Sequence, residues 1–289
     1  MALTLSQRWT IADEMAKDVL PTVNANSEVP RFRENIYNRY TKRVLDICFA
    51  SLVLIVTLPI HVFMAIATAI DLGRPLLFRQ QRAGRNGDTF TIVKFRNMRS
   101  DRGANGDLLP PDQRVTRLGR FFRRTSLDEL LNFVSVLTGR MSIIGPRPLP
   151  PEYVSRYSDR HRVRLAVRPG LECPPRDPSE SRNWQSQFEN DVWYATHVSF
   201  RVDLLLCWRL LRFTLSRKSS HQRAWANRGT FMGYSVEGEA INLEEVPQCY
   251  IDNVLLEGDM DNDLEAKRLA GSVTTDLTVS KSMPDECVI

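Results

Sequence analysis

Between Arg120 and Glu129 the chain sets three arginines, Arg120, Arg123 and Arg124, just before two adjoining carboxylates, Asp128 and Glu129. Ser126 with Glu129 three residues later matches a capping box, and Leu127, Leu130, Leu131, Val134 and Leu137 recur at helical spacing. The spacing therefore predicts a helix that opens at Ser126 and ends near Gly139. Such a start suits phosphates: free backbone N–H groups and the positive end of the dipole favour anions, and would keep Asp128 ionised as a nucleophile or metal ligand. Paired acids could also hold Mg2+, which neutralises a pyrophosphate during phosphoryl transfer. Acids in a first helical turn are common as plain caps, so spacing alone leaves catalysis and capping both open. Further on, Gly145-Pro146-Arg147-Pro148 is a stiff segment that presents Arg147 on a fixed backbone.

These residues need a scaffold. Residues 76–98 alternate apolar and polar side chains around Gly84 and the turn pair Asn86-Gly87, which predicts a short β-hairpin, and residues 100–113 read as a polar loop. Residues 186–215 carry aromatics and leucines at helical spacing. Their Trp193, Tyr194, Phe200, Trp208 and Phe213 suit a membrane interface and a protein core equally well.

Upstream, Ile47 to Ile70 runs for 24 residues without a formal charge, about 36 Å as a straight helix at roughly 1.5 Å per residue. Pro59 near its middle breaks or kinks the helix. Arg31, Arg33, Arg39, Lys42 and Arg43 precede the run, and Arg74, Arg79, Arg82 and Arg85 follow it. Cationic flanks on both sides favour a re-entrant segment with both ends in the cytoplasm over a kinked single span, the competing reading. His61 reads as a neutral side chain bonded to backbone freed near Pro59. Residues 1–40 are charged throughout, with no apolar core of a cleavable signal peptide.

The 289 residues are 43% hydrophobic with a formal net charge of +5, which indicates a folded body. Residues 258–289 hold seven acids and three bases, so a basic body ends in an acidic tail. The five cysteines are scattered and form no CxxC, indicating neither a disulfide framework nor a zinc site, and the terminal Glu-Cys-Val-Ile is not a CaaX box. A nucleic-acid binder is disfavoured because the basic residues flank an apolar run and no recognition motif accompanies them.

Six ordered blocks, Lys42 to Asp46, Phe78 to Arg82, Lys94 to Met98, Arg123 to Leu130, Met141 to Pro148 and Val167 to Gly170, resemble the bacterial sugar transferases, the monotopic polyprenyl-phosphate phosphoglycosyl transferases. The resemblance covers about residues 40–213. It implies a helix-break-helix re-entrant anchor at Pro59, at the inner membrane of a bacterium with the catalytic part on the cytoplasmic face. It also implies that Asp128 attacks the β-phosphate of a UDP-sugar, that UMP leaves, and that polyprenyl phosphate (undecaprenyl phosphate) takes the phosphosugar. Glu129 then assists beside Mg2+, with Asp128 and Glu129 as metal ligands and Arg123 and Arg147 as phosphate-binding arginines.

The expected fold is α/β and mostly helical, with N-terminal extension 1–40, re-entrant segment 41–72, cytoplasmic catalytic domain 73–213 and C-terminal extension 214–289. The sequence departs from the family pattern at Leu58, at Arg140 and at Leu171 to Asp177, where a glycine loop becomes Pro-Pro. A non-catalytic membrane adaptor in polysaccharide assembly is the alternative function, and homo-oligomerisation is left open.

Overall fold

The computed structural model describes residues 3–103, 108–176, 183–215 and 228–256. Helix α1 (Leu5–Asn26) starts from a capping box between Thr4 and Gln7. The apolar run then forms two helices: a π-helical turn, Tyr37–Thr41, leads into α2 (Lys42–Val56), and α3 (Leu58–Leu72) follows after a break at Thr57. Pro59 occupies the first turn of α3, where a missing N–H costs no helix bond, so it starts a helix and kinks none. The two limbs are bent by 59°. Among the described residues no single helix is long and apolar enough to cross a membrane, but this bent pair passes by length and composition.

The break is sealed locally. The Thr57 hydroxyl and amide both donate to Val53 O, at 2.7 and 2.9 Å, so a hydroxyl serves the break one residue before Leu58. His61 donates its backbone N–H to Thr57 O at 3.0 Å and sets Nδ1 2.8 Å from the same oxygen, the arrangement its position predicts.

Strands β1 (Leu77–Ala83) and β2 (Thr89–Phe95) form the expected antiparallel hairpin, in register from Leu77 opposite Phe95 to Ala83 opposite Thr89. Asn86 and Gly87 turn it at φ 59° and 87°. Within the polar loop lie a bridge between Arg102 and Leu108 and a short helix, α4 (Pro111–Arg114). Helix α5 (Arg117–Thr125) is capped by Thr116 and lies on the end of β2. A Cβ on Gly119 would stand 2.0 Å from Asn97 O, so only glycine allows that approach.

Helix α6 (Asn132–Leu137) leads to β3 (Ser142–Ile144), which pairs in parallel with β4 (Gly170–Glu172). Here too glycine is required, because a Cβ on Gly170 would stand 2.1 Å from Gly145 N. Helix α7 (Asp159–Arg162) precedes α8 (Trp184–His197) and α9 (Phe200–Leu215). The aromatics of these helices divide: Tyr194 is buried and Trp193 partly so, while Phe200 and Trp208 are exposed. The Phe213 side chain lies outside what is described.

Residues 228–256 supply a second hairpin, β5 (Phe231–Tyr234) with β6 (Ala240–Asn242), and a last helix, α10 (248–256). This segment packs on α1 through Ile11, Met15, Met232, Ile241, Tyr250 and Val254. Phe231 and Tyr234 join Tyr153, Tyr157, Trp184 and Phe188 in a second cluster. The acidic tail lies outside the described residues. Cys48, Cys173 and Cys207 are free, whereas Cys249 is disulfide-bonded, a pairing the cysteine spacing does not indicate. The fold is thus mostly helical with three two-stranded sheets among the described residues. Only the first of those sheets is expected from the sequence: β3 and β4 pair segments distant in the chain, and β5 and β6 form a hairpin of strands only four and three residues long.

Candidate active site

The carboxylate pair lies between two helices and not at the start of a long one. Helix α5 ends at Ser126, whose backbone is left-handed at φ 56° and ψ 22°. Leu127–Glu129 form one 3-10 turn, and α6 begins only at Asn132. Ser126 makes no side-chain cap, so the capping box predicted there does not form. A left-handed residue cannot continue a right-handed helix, and α6 is too short to supply the dipole invoked for Asp128.

Ionisation follows other causes. Burial pushes the Asp128 carboxyl above the usual range and the Glu129 charge adds to the rise, while Lys94 and Arg123 oppose it. Asn97 Nδ2 donates to Asp128 Oδ2 at 2.8 Å, and both side chains are buried. For Glu129, burial acts upward as well, yet Arg147 and Lys94 hold its carboxyl down to about 2. Lys94 Nζ and Arg147 Nη2 share Glu129 Oε1, at 2.7 and 3.1 Å. Two neighbouring acids are therefore pushed in opposite directions, one toward its acid form and one held ionised, which is a mark of functional sites.

Arg147 also reaches Glu172, Nη1 to Oε2 at 3.4 Å, and so bridges two carboxylates. Arg123, exposed at the end of α5, directs Nη2 to Met98 Sδ at 3.8 Å and meets Asp128 only through its charge. Arg82 adds a cation: burial and the Arg147 charge lower its pKa, and its buried Nε has no hydrogen-bond partner. The structure thus joins Asp128, Glu129 and Arg147 in one centre with Arg123 at its edge, and Pro59 lies apart in the first turn of α3.

Lys94, Asn97, Arg82 and Glu172 are candidate site residues that sequence reasoning named without a catalytic or binding role, Arg82 only as a cation flanking the apolar run. The first three stand in blocks quoted for the family resemblance, so their positions carried a signal though their chemistry did not. Glu172 belongs to the stretch that departs from the family pattern. There Pro174 and Pro175 are followed by Arg176, whose N–H donates to Asn190 Oδ1 at 2.7 Å, while Arg209 Nη1 donates to Pro175 O at 3.1 Å. That stretch is tied to α8 and α9.

Among the described residues no group of three or more His, Cys, Asp or Glu could hold a metal ion. Magnesium commonly takes only one or two protein carboxylates and completes its shell with substrate phosphates and water, so the Asp128–Glu129 donor set fits such an ion.

Residues 37–217 match the family described as bacterial sugar transferase, and the chain belongs to that family. It is similar to an uncharacterized sugar transferase of Bacillus subtilis, with 38% identity over 168 residues, 57% of this chain and 83% of the relative. It is also 37% identical over 198 residues to a UDP-glucose:undecaprenyl-phosphate glucose-1-phosphate transferase of Caulobacter vibrioides, covering 67% of this chain and 71% of that protein. The enzyme of the same name in Escherichia coli is 39% identical over 177 residues, 59% of this chain but 37% of its own length. The chain therefore spans well under half of that longer relative.

Proposed function

We propose that this protein transfers a sugar phosphate from a UDP-sugar to a polyprenyl phosphate, with Asp128 as nucleophile. An Asp128 oxygen attacks the β-phosphorus of the donor. The bond from that phosphorus to the bridging oxygen breaks, and its electron pair leaves with UMP. An oxygen of polyprenyl phosphate then attacks the same phosphorus, the bond to Asp128 breaks, and the carboxylate is restored. Asn97 holds the attacking carboxylate in place. Arg147, Arg123 and Arg82 meet the donor's phosphate oxygens, and Lys94 keeps Glu129 ionised beside them. A bound Mg2+, held by Asp128 and Glu129, would neutralise charge on the pyrophosphate.

The observation that carries this reading is the opposed acid pair set among cations in a chain of this family. The relatives' names supply the substrate class: undecaprenyl phosphate as acceptor, with a nucleotide sugar as donor. The site at a membrane surface rests on the apolar elbow. Phe49, Leu52, Ile55, Leu58, Phe63 and Ile66 are all exposed on it, as they would be against lipid. Each limb is 15 residues, roughly 22 Å. With both feet at the interface and a 59° bend, the elbow reaches only about 11 Å into a hydrocarbon core of ~30 Å. Cationic flanks at both feet support that re-entrant placement on the cytoplasmic face of a bacterial membrane.

The test is a half-reaction. Enzyme with labelled UDP-sugar and Mg2+, but no lipid, should release about one equivalent of UMP and retain label on the protein, and Asp128→Asn should abolish both. Folded Asp128→Asn that still forms lipid-linked product at near wild-type rate would reduce the acids to structural groups.

A further inference from the structure

The segment that carries Arg147 has its backbone bonded on both sides. Gly145 N donates to Glu172 O at 3.2 Å, Pro146 O accepts from Gly170 N at 3.0 Å, and Leu149 O accepts from Ala83 N at 2.9 Å. The Arg147 carbonyl between them has no backbone donor in that pattern. It accepts instead from a side chain, Arg164 Nη2, at 2.9 Å. Arg164 is 2% exposed and follows α7 in a short 3-10 turn.

Arg164 is itself fixed. Its Nε and Nη2 donate to Asp191 Oδ2 of α8 at 3.0 and 2.8 Å, and its Nη1 donates to the Tyr157 hydroxyl at 3.0 Å. Asp191 and Tyr157 are each 1% exposed. The guanidinium lies over the rings of Tyr157 and Phe188, at 5.4 and 5.6 Å. An ion pair taken this far out of water does little for net stability, because desolvation cancels much of the attraction, but it is highly directional. Its spare hydrogen bond ends on the backbone of a residue whose side chain must meet a phosphate within a few tenths of an ångström.

We infer that Arg164, locked by Asp191 and Tyr157, is a positioning residue that aims Arg147 at the donor's diphosphate. This rests on the functional reading above. The same rings also contact Phe231, which stacks on Tyr157 at 6.0 Å and meets Phe188 edge-on at 4.9 Å. Phe231 lies outside the residues matched to the family, so the segment 228–256 braces the lock from behind.

The test is a double-mutant cycle on full-length protein in nanodiscs, read as the dissociation constant for UDP, which carries the diphosphate without the sugar. Arg147→Ala should weaken UDP about tenfold or more, as expected for losing a charge-assisted bond. Arg164→Ala should weaken it about three- to tenfold in the wild-type background and less than about twofold in the Arg147→Ala background, because its effect passes through Arg147. Arg164→Lys should restore little, since an ammonium lacks the planar fork. Tyr157→Phe, which removes one hydrogen bond and leaves the ring, runs the same cycle should Arg164→Ala not fold. Equal losses in both backgrounds, or no loss with Arg164 replaced, overturn the positioning role. Undiminished UDP binding by Arg147→Ala instead overturns the assignment of the site.

Discussion

Asn97→Ala tests the electrostatics of the centre most directly. In the proposed mechanism Asp128 must be ionised to attack, yet burial and the Glu129 charge favour its acid form. The Asn97 amide, 2.8 Å from Oδ2, favours the charged form. A hydrogen bond to a charged group contributes about 1.5–3 kcal/mol, equivalent to roughly 1–2 pKa units at 1.36 kcal/mol per unit. Truncation at a site open to the donor admits water that restores part of this, so the expected net penalty on the carboxylate is about 1.5 kcal/mol, and its pKa rises. The acid limb of kcat/KM for UMP release should therefore move to higher pH, with a loss of roughly tenfold on that limb and the smallest loss on the alkaline side. Turnover across a pH series, with folding checked by melting temperature, measures it. An unmoved acid limb, with activity lowered equally at every pH, would refute the idea that Asn97 acts through the charge on Asp128.

Three further outcomes are expected. Gly119→Ala puts a methyl group 2.0 Å from Asn97 O and must push α5 off the end of β2, costing about 1–3 kcal/mol of stability by overpacking and lowering activity, both read from melting temperature and UMP release. Glu129 is held at about 2 in the fold against an ordinary 4.5, so its contribution to stability is present above 4.5 and fades as pH falls toward 2; Glu129→Gln should flatten the loss of melting temperature over that acid window. Cysteine labelling in intact cells should find both Met1 and Ile289 inaccessible from outside, and labelling of either end would exclude the re-entrant placement.

Much of the scaffold was legible because its cues are local. The turn at Asn86-Gly87 needs positive φ, and the proline inside an uncharged run marks a helix break, which falls two residues before it at Thr57. The acid pair was legible as a candidate for chemistry, but its setting was misread: Ser126 and Glu129 satisfy a capping pattern, whereas Ser126 ends α5 in a left-handed conformation that the pattern does not reveal. The ionisation argument failed with it, since burial is a tertiary property. Lys94, Asn97 and Glu172 act through partners 35, 31 and 25 residues away in the chain, a separation no periodicity reveals. Residues 228–256 offered no cue to their packing on α1, because side-chain contacts between segments more than 200 residues apart leave no periodic mark in the sequence.

The foot of α2 is grasped at three points. Lys42 donates to Asp203 of α9, Arg43 donates to Val136 O and Leu137 O at the end of α6, and Asp46 accepts from Ile143 N on β3 at 3.2 Å. At the far end of the elbow Arg96 donates to Leu72 O and Gly73 O. With bonds at both feet, the separation between the elbow and Asp128 is set by the fold, like the length of a bone. Under the proposed function, with one substrate arriving from water and the other from lipid, the fold itself sets where the two meet. On the re-entrant placement proposed above, a bilayer of different thickness would leave the distance from elbow to carboxylate unchanged. Adjusting that distance would require breaking the bonds at the feet.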